Sequence, residues 1–563
     1  MDATPNKWTV MVYLAGNNNL GEECVFALTE MKRADTNDNI TVVAQLETSV
    51  SSNKLFVIRK NPDSGTLNSL ARPAAEPTRS VVKRPARIKG GERVNLGAQK
   101  SAVIELEPDY DDISVQTYAD GIKSFVKEAV EIGKGPERDT ADRLMLILSG
   151  HGSGTVGDFL PSIGSQLRNL SIPNLADMLR DIQEEVLASP EGEGGRKIDV
   201  LGMDSCLMSM AEVCYALRDQ VKVLIGAEGF EPLAGWPYAC VLMDLDKFTR
   251  KSRAITDEDV KSLARTLVSS YTRYYSDYQA AGVSVDQSAC DLGQSDNLAA
   301  AVGILAKTLR YHLEDPDAKI AGAAKNAILL AHWEAQSYKN EQYVDLFDFC
   351  DLLKKKHDAE DVGRACQNVL NVIGGSINLS DRTEADRAAP EFRFVAPFVL
   401  RSCYSGWVVQ YSYGVSIYFP WAEIPADLDD YEQLDFPQDT GWASFLRVYL
   451  DKTKRPPRYE DLIKLEKVPA LTKRVQAEQF LVAQVPLPAT VATDPQAVSF
   501  SFRNGDNTKN GDNTKVLTNV IGSMRNPPTD YLRTPPCQNE PPVVDNSMNT
   551  PARKVGSEAQ GNP

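Results

Sequence analysis

Histidine is scarce in this chain, with four among 563 residues, and the scarcity narrows any search for a general base at neutral pH. Long apolar runs are missing too. No stretch approaches the roughly 20 residues that a membrane-spanning helix needs. The start, MDATPNKWTVMVYLAGN, has no basic segment followed by a long apolar one. Neither a membrane partner nor a secretory leader is therefore expected, and a cytoplasmic location is. The nine cysteines include no C-x-x-C pair, which speaks against a disulfide framework and against a zinc site. Positive charge is also in deficit. A formal net charge of -16 gives no basic surface to neutralise phosphates, so no nucleic-acid partner is expected, whereas a cationic peptide suits such a field.

What is present is an alternation. Through residues 1–248 short apolar runs alternate with amphipathic stretches, the pattern of a parallel sheet covered by helices. Strands are expected at 8–14, 40–46, 54–59, 144–148, 198–203 and 221–227, and helices near 21–32, 118–132, 173–187 and 207–218. In the third helix Leu175, Met178, Leu179, Ile182 and Val186 share one face, with Pro173 suited to the opening turn. The expected fold class is α/β, a doubly wound, mostly parallel sheet flanked by helices.

Insertions near 62–112 and 155–197 interrupt that core. The stretch from Arg72 to Arg93 is rich in proline, glycine and basic residues, and reads as an exposed insertion rather than a core element. Residues 249–454 turn mostly helical, with Thr256 and Asp259 forming a capping pattern, and strands near 393–419 would return to the sheet. Residues 455–563 are a low-complexity tail, expected to be disordered, that carries the duplication NGDNTKNGDNTK.

Two short segments carry the chemistry. His312, His332 and His357 sit inside helical stretches and read as packing or surface residues. His151 differs, because it follows the apolar strand LMLILS and is bracketed by glycines in SGHGSG. In an open parallel sheet, reacting groups gather beyond the carboxyl ends of the strands, and a glycine beside the histidine leaves the Gly152 amide available to an oxyanion. A plain strand-end histidine in a glycine turn would look the same. The second segment, VLGMDSC, brings Cys206 to the end of another apolar strand, just before the expected helix 207–218. A helix N-terminus there would favour thiolate over thiol. The other cysteines read as apolar filler. Together the two strand ends make a Cys-His pair suited to nucleophilic catalysis. No third, orienting residue can be read from the sequence.

The blocks WTVMVYLAGNNNL, LMLILSGHGSG, VLGMDSCLMSMAEV, GFEPLAGWPY, YVDLFDF and GVSIYFP resemble, in this order, those of the clostripain family of cysteine peptidases. The resemblance covers roughly residues 8–450 and implies the caspase-like fold. It also implies a catalytic dyad of His151 and Cys206, with an oxyanion hole built from the amides of Gly152 and Cys206. Asp204 matches an aspartate of the pocket for the P1 side chain, which implies a peptide or protein substrate with arginine or lysine at that position. A strand-end or capping role for Asp204 remains the alternative. Two departures stand out. Asn17 takes an acidic position of the first block, and GWPY replaces the commoner G-W-D-Y, so the second pocket carboxylate is sought at Glu228 or Glu231. Relatives are often activated by cutting themselves after a basic residue. Arg168, Arg196, Lys197 and the basic insertion from Arg84 to Lys89 are the candidates here. No cofactor is required by the sequence. Some relatives use calcium, which the resemblance therefore allows, although no D-x-[DN]-x-[DN]-G loop is present. An inactive scaffold that binds a partner is the rival reading, and the intact His151 and Cys206 argue against it.

Overall fold

The computed structural model describes residues 7–453 except 35, 49–53, 59–80, 83–101, 106–114, 135–142, 162–168, 189–194, 251–253, 280–281, 340–341, 375–395, 407, 421–424 and 426. Five parallel strands form the centre of one sheet: β1 (Trp8–Gly16), β2 (Ile40–Thr48), β6 (Arg143–Ser149), β7 (Ile198–Asp204) and β8 (Val221–Gly226), in the order β8-β7-β6-β1-β2. Their apolar runs are buried on both faces, as parallel strands under two helical layers must be. On one face Met11, Tyr13 and Ala15 join a core with Phe125 and Val126 of helix α2 (Val115–Lys134) and with Leu175 and Leu179 of α3 (Ile172–Asp181). On the other, Val10, Val12 and Leu14 pack with Leu28 of α1 (Gly21–Arg33), Leu242 of α5 (Tyr238–Thr249) and Leu263 of α6 (Asp257–Ser276). The sheet is thus doubly covered, as the alternation implied.

Shorter strands finish both edges. Strand β3 (Lys54–Ile58) pairs antiparallel with β2, and β5 (Ala102–Glu105) pairs antiparallel with β3 and parallel with the two-residue β4 (Val81–Val82). The segment read as an exposed insertion rather than a core element therefore supplies edge strands, because an edge needs only a few backbone pairings and tolerates a polar sequence between them. At the other edge β9 (Val285–Asp291) runs antiparallel to β8, and β12 (Val399–Ser405) antiparallel to β9. Of the strands expected near 393–419 to return to the sheet, β12 does so. Strand β13 (Ser416–Tyr418) instead joins a separate three-stranded sheet with β10 (Ser337–Tyr338) and β11 (Tyr343–Asp345), because β11 and β13 exchange their own ladder bonds.

The helices after residue 249 match the expected pattern. Helices α7 (Ser295–Leu313), α8 (Ala318–Glu334), α9 (Leu346–Lys356) and α10 (Glu360–Gly374) close over the first face, together with the terminal helix Trp442–Thr453. The capping box at Thr256 and Asp259 is formed. Helix α3 continues into a π-helical turn, Ile182–Val186. Among the described residues no helix is long and apolar enough to cross a membrane.

Candidate active site

Strands β6 and β7 are parallel neighbours with Ser149 opposite Asp204, so His151 and Cys206 each stand two residues beyond the same register pair. Adjacent strands lie about 4.8 Å apart. The contact persists past the strand ends: the Gly150 amide donates to the Asp204 carbonyl at 3.1 Å, and a Cβ placed on Gly152 would fall 2.3 Å from the Cys206 carbonyl oxygen. Only glycine lets the two loops approach this closely. The Gly152 amide has no hydrogen-bond acceptor among the described residues, which leaves it free to meet an oxyanion.

His151 and Cys206 are both buried. The imidazole Nε2 lies 2.6 Å from Asn19 Oδ1, and the His151 carbonyl accepts the Leu160 amide at 2.9 Å. Downstream, the Ser153 carbonyl accepts from Tyr343 Oη at 2.7 Å and from Lys339 Nζ at 2.8 Å. Gly154, at φ +76, clears the Tyr343 ring where any Cβ would sit 2.4 Å from it.

The helix expected to begin at Leu207 does not. Leu207 adopts φ 64, and its amide turns to the Gly229 carbonyl at 2.9 Å, while the Ser209 amide reaches the Ala227 carbonyl and its Oγ reaches Gly414 O at 2.8 Å. Long-range bonds hold this stretch out of a helix, and α4 starts only at Ala211 and ends at Ala216. A helix dipole therefore does not act on Cys206. The Sγ atom instead accepts the Glu231 amide at 3.3 Å, and a hydrogen bond of that kind favours the thiolate.

The three carboxyls assigned to the substrate pocket are all buried and differ in their surroundings. Asp204 accepts Ser149 Oγ at 2.6 Å, Tyr238 Oη at 2.8 Å and the Trp236 amide at 3.0 Å, so it pins the 236–238 segment to the end of the sheet. Glu231 accepts Trp236 Nε1 at 3.1 Å and Gln287 Nε2 at 3.4 Å. Glu228 accepts the Gly414 amide at 2.7 Å, and burial, followed by the charges of Asp345 and Asp286, pushes its pKa well above the usual carboxylate range. Asp345 is raised to about 8 and Asp286 to about 6, both chiefly by burial. Glu228 thus ties the 413–414 segment to the end of β8, and a carboxyl whose pKa is raised offers less negative charge to a basic side chain than an ordinary one.

The other histidines have packing partners. His332 stacks on Phe419 with ring centroids 4.0 Å apart, His312 Nε2 meets Asp361, and His357 Nδ1 accepts the Ala359 amide. Arg196 pairs with Asp199, and Lys197 Nζ donates to the Arg218 carbonyl; both precede β7, at the sheet edge opposite Cys206. Arg168 and the basic insertion from Arg84 to Lys89 lie outside the described residues. So does the NGDNTKNGDNTK duplication, and among the described residues no three His, Cys, Asp or Glu side chains gather as metal ligands would. Sequence reasoning passed over Asn19, whose one signal was its place in the AGNNNL block at the end of β1.

The model of the clostripain family matches residues 114–451, more than half of the chain. No curated protein matches significantly. Among solved structures, an inactive zymogen protease from Parabacteroides distasonis is 19% identical, with 78% of this chain and 99% of that chain covered and a TM-score of 0.47. A secreted cysteine protease from Bacteroides thetaiotaomicron, in complex with an irreversible peptide inhibitor, is 16% identical over 78% of this chain and 99% of its own, with a TM-score of 0.46.

Proposed function

Because the chain belongs to the clostripain family of cysteine peptidases, we propose that Cys206 is its nucleophile and His151 its acid-base partner in the hydrolysis of peptide bonds. The observation that carries this reading is the close apposition of the two strand ends, where Gly152 rests on the Cys206 carbonyl. The imidazole takes the thiol proton, and the thiolate sulfur bonds to the substrate carbonyl carbon. The oxyanion that forms is met by the Gly152 and Cys206 amides. The C–N bond then breaks as the imidazolium protonates the leaving amine. Water, deprotonated by the same imidazole, releases the acid from the thioester and restores the thiol. All of these steps use groups of the chain, the substrate and water.

Substrates would carry lysine or arginine at P1. Support comes from the buried acidic side chains behind the thiol: Glu231 lends Cys206 its amide, and Asp204 stands two residues before it. With Pro237 in the GWPY block, Glu231 is the stronger candidate for the selecting charge, since Asp204 already accepts three hydrogen bonds. Self-cleavage would follow a basic residue, with Arg168, Arg196, Lys197 and the basic insertion from Arg84 to Lys89 as the candidates. Arg196 and Lys197 are separated from Cys206 by the length of β7, roughly 23 Å at about 3.3 Å per residue, and would be reached only by another molecule.

Lysine- and arginine-based fluorogenic peptides, given to the full chain and to Cys206→Ala, test this function. Turnover should vanish in the variant, and with it any fragment pair seen on a denaturing gel of the wild type. Cleavage that survives the substitution would overturn the mechanism, and a wild type inert towards every peptide tried would favour the scaffold reading.

A further inference from the structure

The contact between Asn19 and His151 has chemical direction. An amide oxygen can only accept, so a 2.6 Å contact between Asn19 Oδ1 and His151 Nε2 requires that Nε2 carry a hydrogen. In the neutral ring the proton then sits on Nε2, and the buried Nδ1 is the basic nitrogen. We propose that Asn19 is a positioning residue of the peptidase: it fixes the Nε2–H tautomer of His151, so that Nδ1 takes the thiol proton and later returns it to the leaving amine. This inference rests on the Cys206–His151 reading and deepens it.

The loop that carries Asn19 is built to hold a side chain still. Strand β1 lies beside β6, with Leu14 opposite Ser149, so the chain leaves β1 alongside the strand that ends at His151. The next residues are tied on both sides. Asn18 Nδ2 donates to the Ala15 carbonyl at 3.1 Å and to the Pro161 carbonyl at 2.9 Å, while Asn18 Oδ1 accepts the Leu20 amide at 2.8 Å. Asn18 thus fixes the backbone on either side of Asn19, and it bridges to the segment whose Leu160 amide bonds the His151 carbonyl. Two neighbouring asparagines divide the work, one ordering the loop and the other meeting the imidazole. A neutral amide at this place orients the ring, and it stabilises the imidazolium through one hydrogen bond without adding a charge.

Full-length Asn19→Ala and Asn19→Asp, compared with wild type over the pH range of kcat and kcat/KM, test the assignment. Asn19→Ala should lose about 10- to 100-fold, chiefly in kcat, as is usual when the group that orients an essential histidine is removed. Asn19→Asp should recover most of that loss. Its alkaline limb should also move up by about one pH unit, because a carboxylate beside Nε2–H favours the imidazolium. Loss of loop structure alone would lower the rate equally at every pH and would leave both limbs in place. Asn19→Ala with the wild-type rate and pH profile would overturn the proposal, as would Asn19→Asp that matches Asn19→Ala at every pH. Cys206→Ala, run alongside, separates this failure from that of the nucleophile, since turnover in that variant would sink the dyad whatever Asn19 does.

Discussion

Replacing Glu228 by Gln should make the protein progressively more stable than wild type as the pH rises. Glu228 is buried, is tied to the Gly414 amide, and lies beside the acidic side chains of Asp345 and Asp286. Burial and then those charges raise its pKa well above the usual range, so the folded protein keeps a proton that the unfolded chain has released. The sign follows: the contribution is complete below the unfolded value of about 4.3 and is lost as the pH climbs toward the folded one. One such proton gives a slope of about 1.4 kcal/mol per pH unit, so wild type loses about 2.7 kcal/mol over two units that the variant keeps. In a folded unit of several hundred residues that is about 3–4 °C in Tm. Glu212, raised to about 7 by burial, and Asp286, raised to about 6, titrate in both proteins and cancel in the difference, while Asp345, raised to about 8, stays largely protonated over the range measured. Thermal melts of the two proteins from about pH 5.5 to 7.5 measure it. A Tm difference that stays constant over that range would show Glu228 ionised in the native state and would refute the reasoning.

Other substitutions probe the same region. Gly152→Ala places a methyl 2.3 Å from the Cys206 carbonyl oxygen, so kcat/KM should fall by at least about 100-fold through a displaced oxyanion amide; near-normal turnover would mean that the two loops part easily. Asp204→Ala strands the Ser149 and Tyr238 hydroxyls and the Trp236 amide, for a loss of about 3 kcal/mol or more in denaturant unfolding. A loss within the usual surface range would mean that Asp204 does not brace that segment. Glu231→Gln should cut the preference for lysine over norleucine at P1 by about tenfold, the worth of roughly 1.4 kcal/mol; an unchanged ratio in the peptide assay would move P1 selection elsewhere.

The parts of this fold that were legible in the sequence are those whose signal is local. Apolar runs such as LMLILS and IDVLGMD marked the central strands, and the polar, glycine-containing ends of two of them marked His151 and Cys206. Strand β9 escaped notice because VDQSACD reads as polar, although every residue of it is buried. Its polar groups find their partners far away in the sequence: Asp286 accepts the Glu228 and Gly229 amides, Gln287 Nε2 donates to Glu231, and Ser288 meets Ser209. The same cause moved the start of α4, since the bonds that keep residues 207–209 out of a helix come from Ala227, Gly229 and Gly414. Asn19 was invisible for that reason too, its partner being 132 residues away. The surroundings of Glu228 were hidden as well, because Asp286 and Asp345 are brought to it only by β9 and β11.

The most direct test of Cys206 as the nucleophile is to locate a covalent adduct. The full chain is treated with a limiting amount of a lysine-containing peptide that ends in a thiol-reactive group, and all nine cysteines are mapped by peptide mass spectrometry. The adduct should lie on Cys206 alone, and its rate of formation should fall by at least about 100-fold in His151→Ala. An adduct on another cysteine, or equal labelling without the histidine, would contradict the assignment.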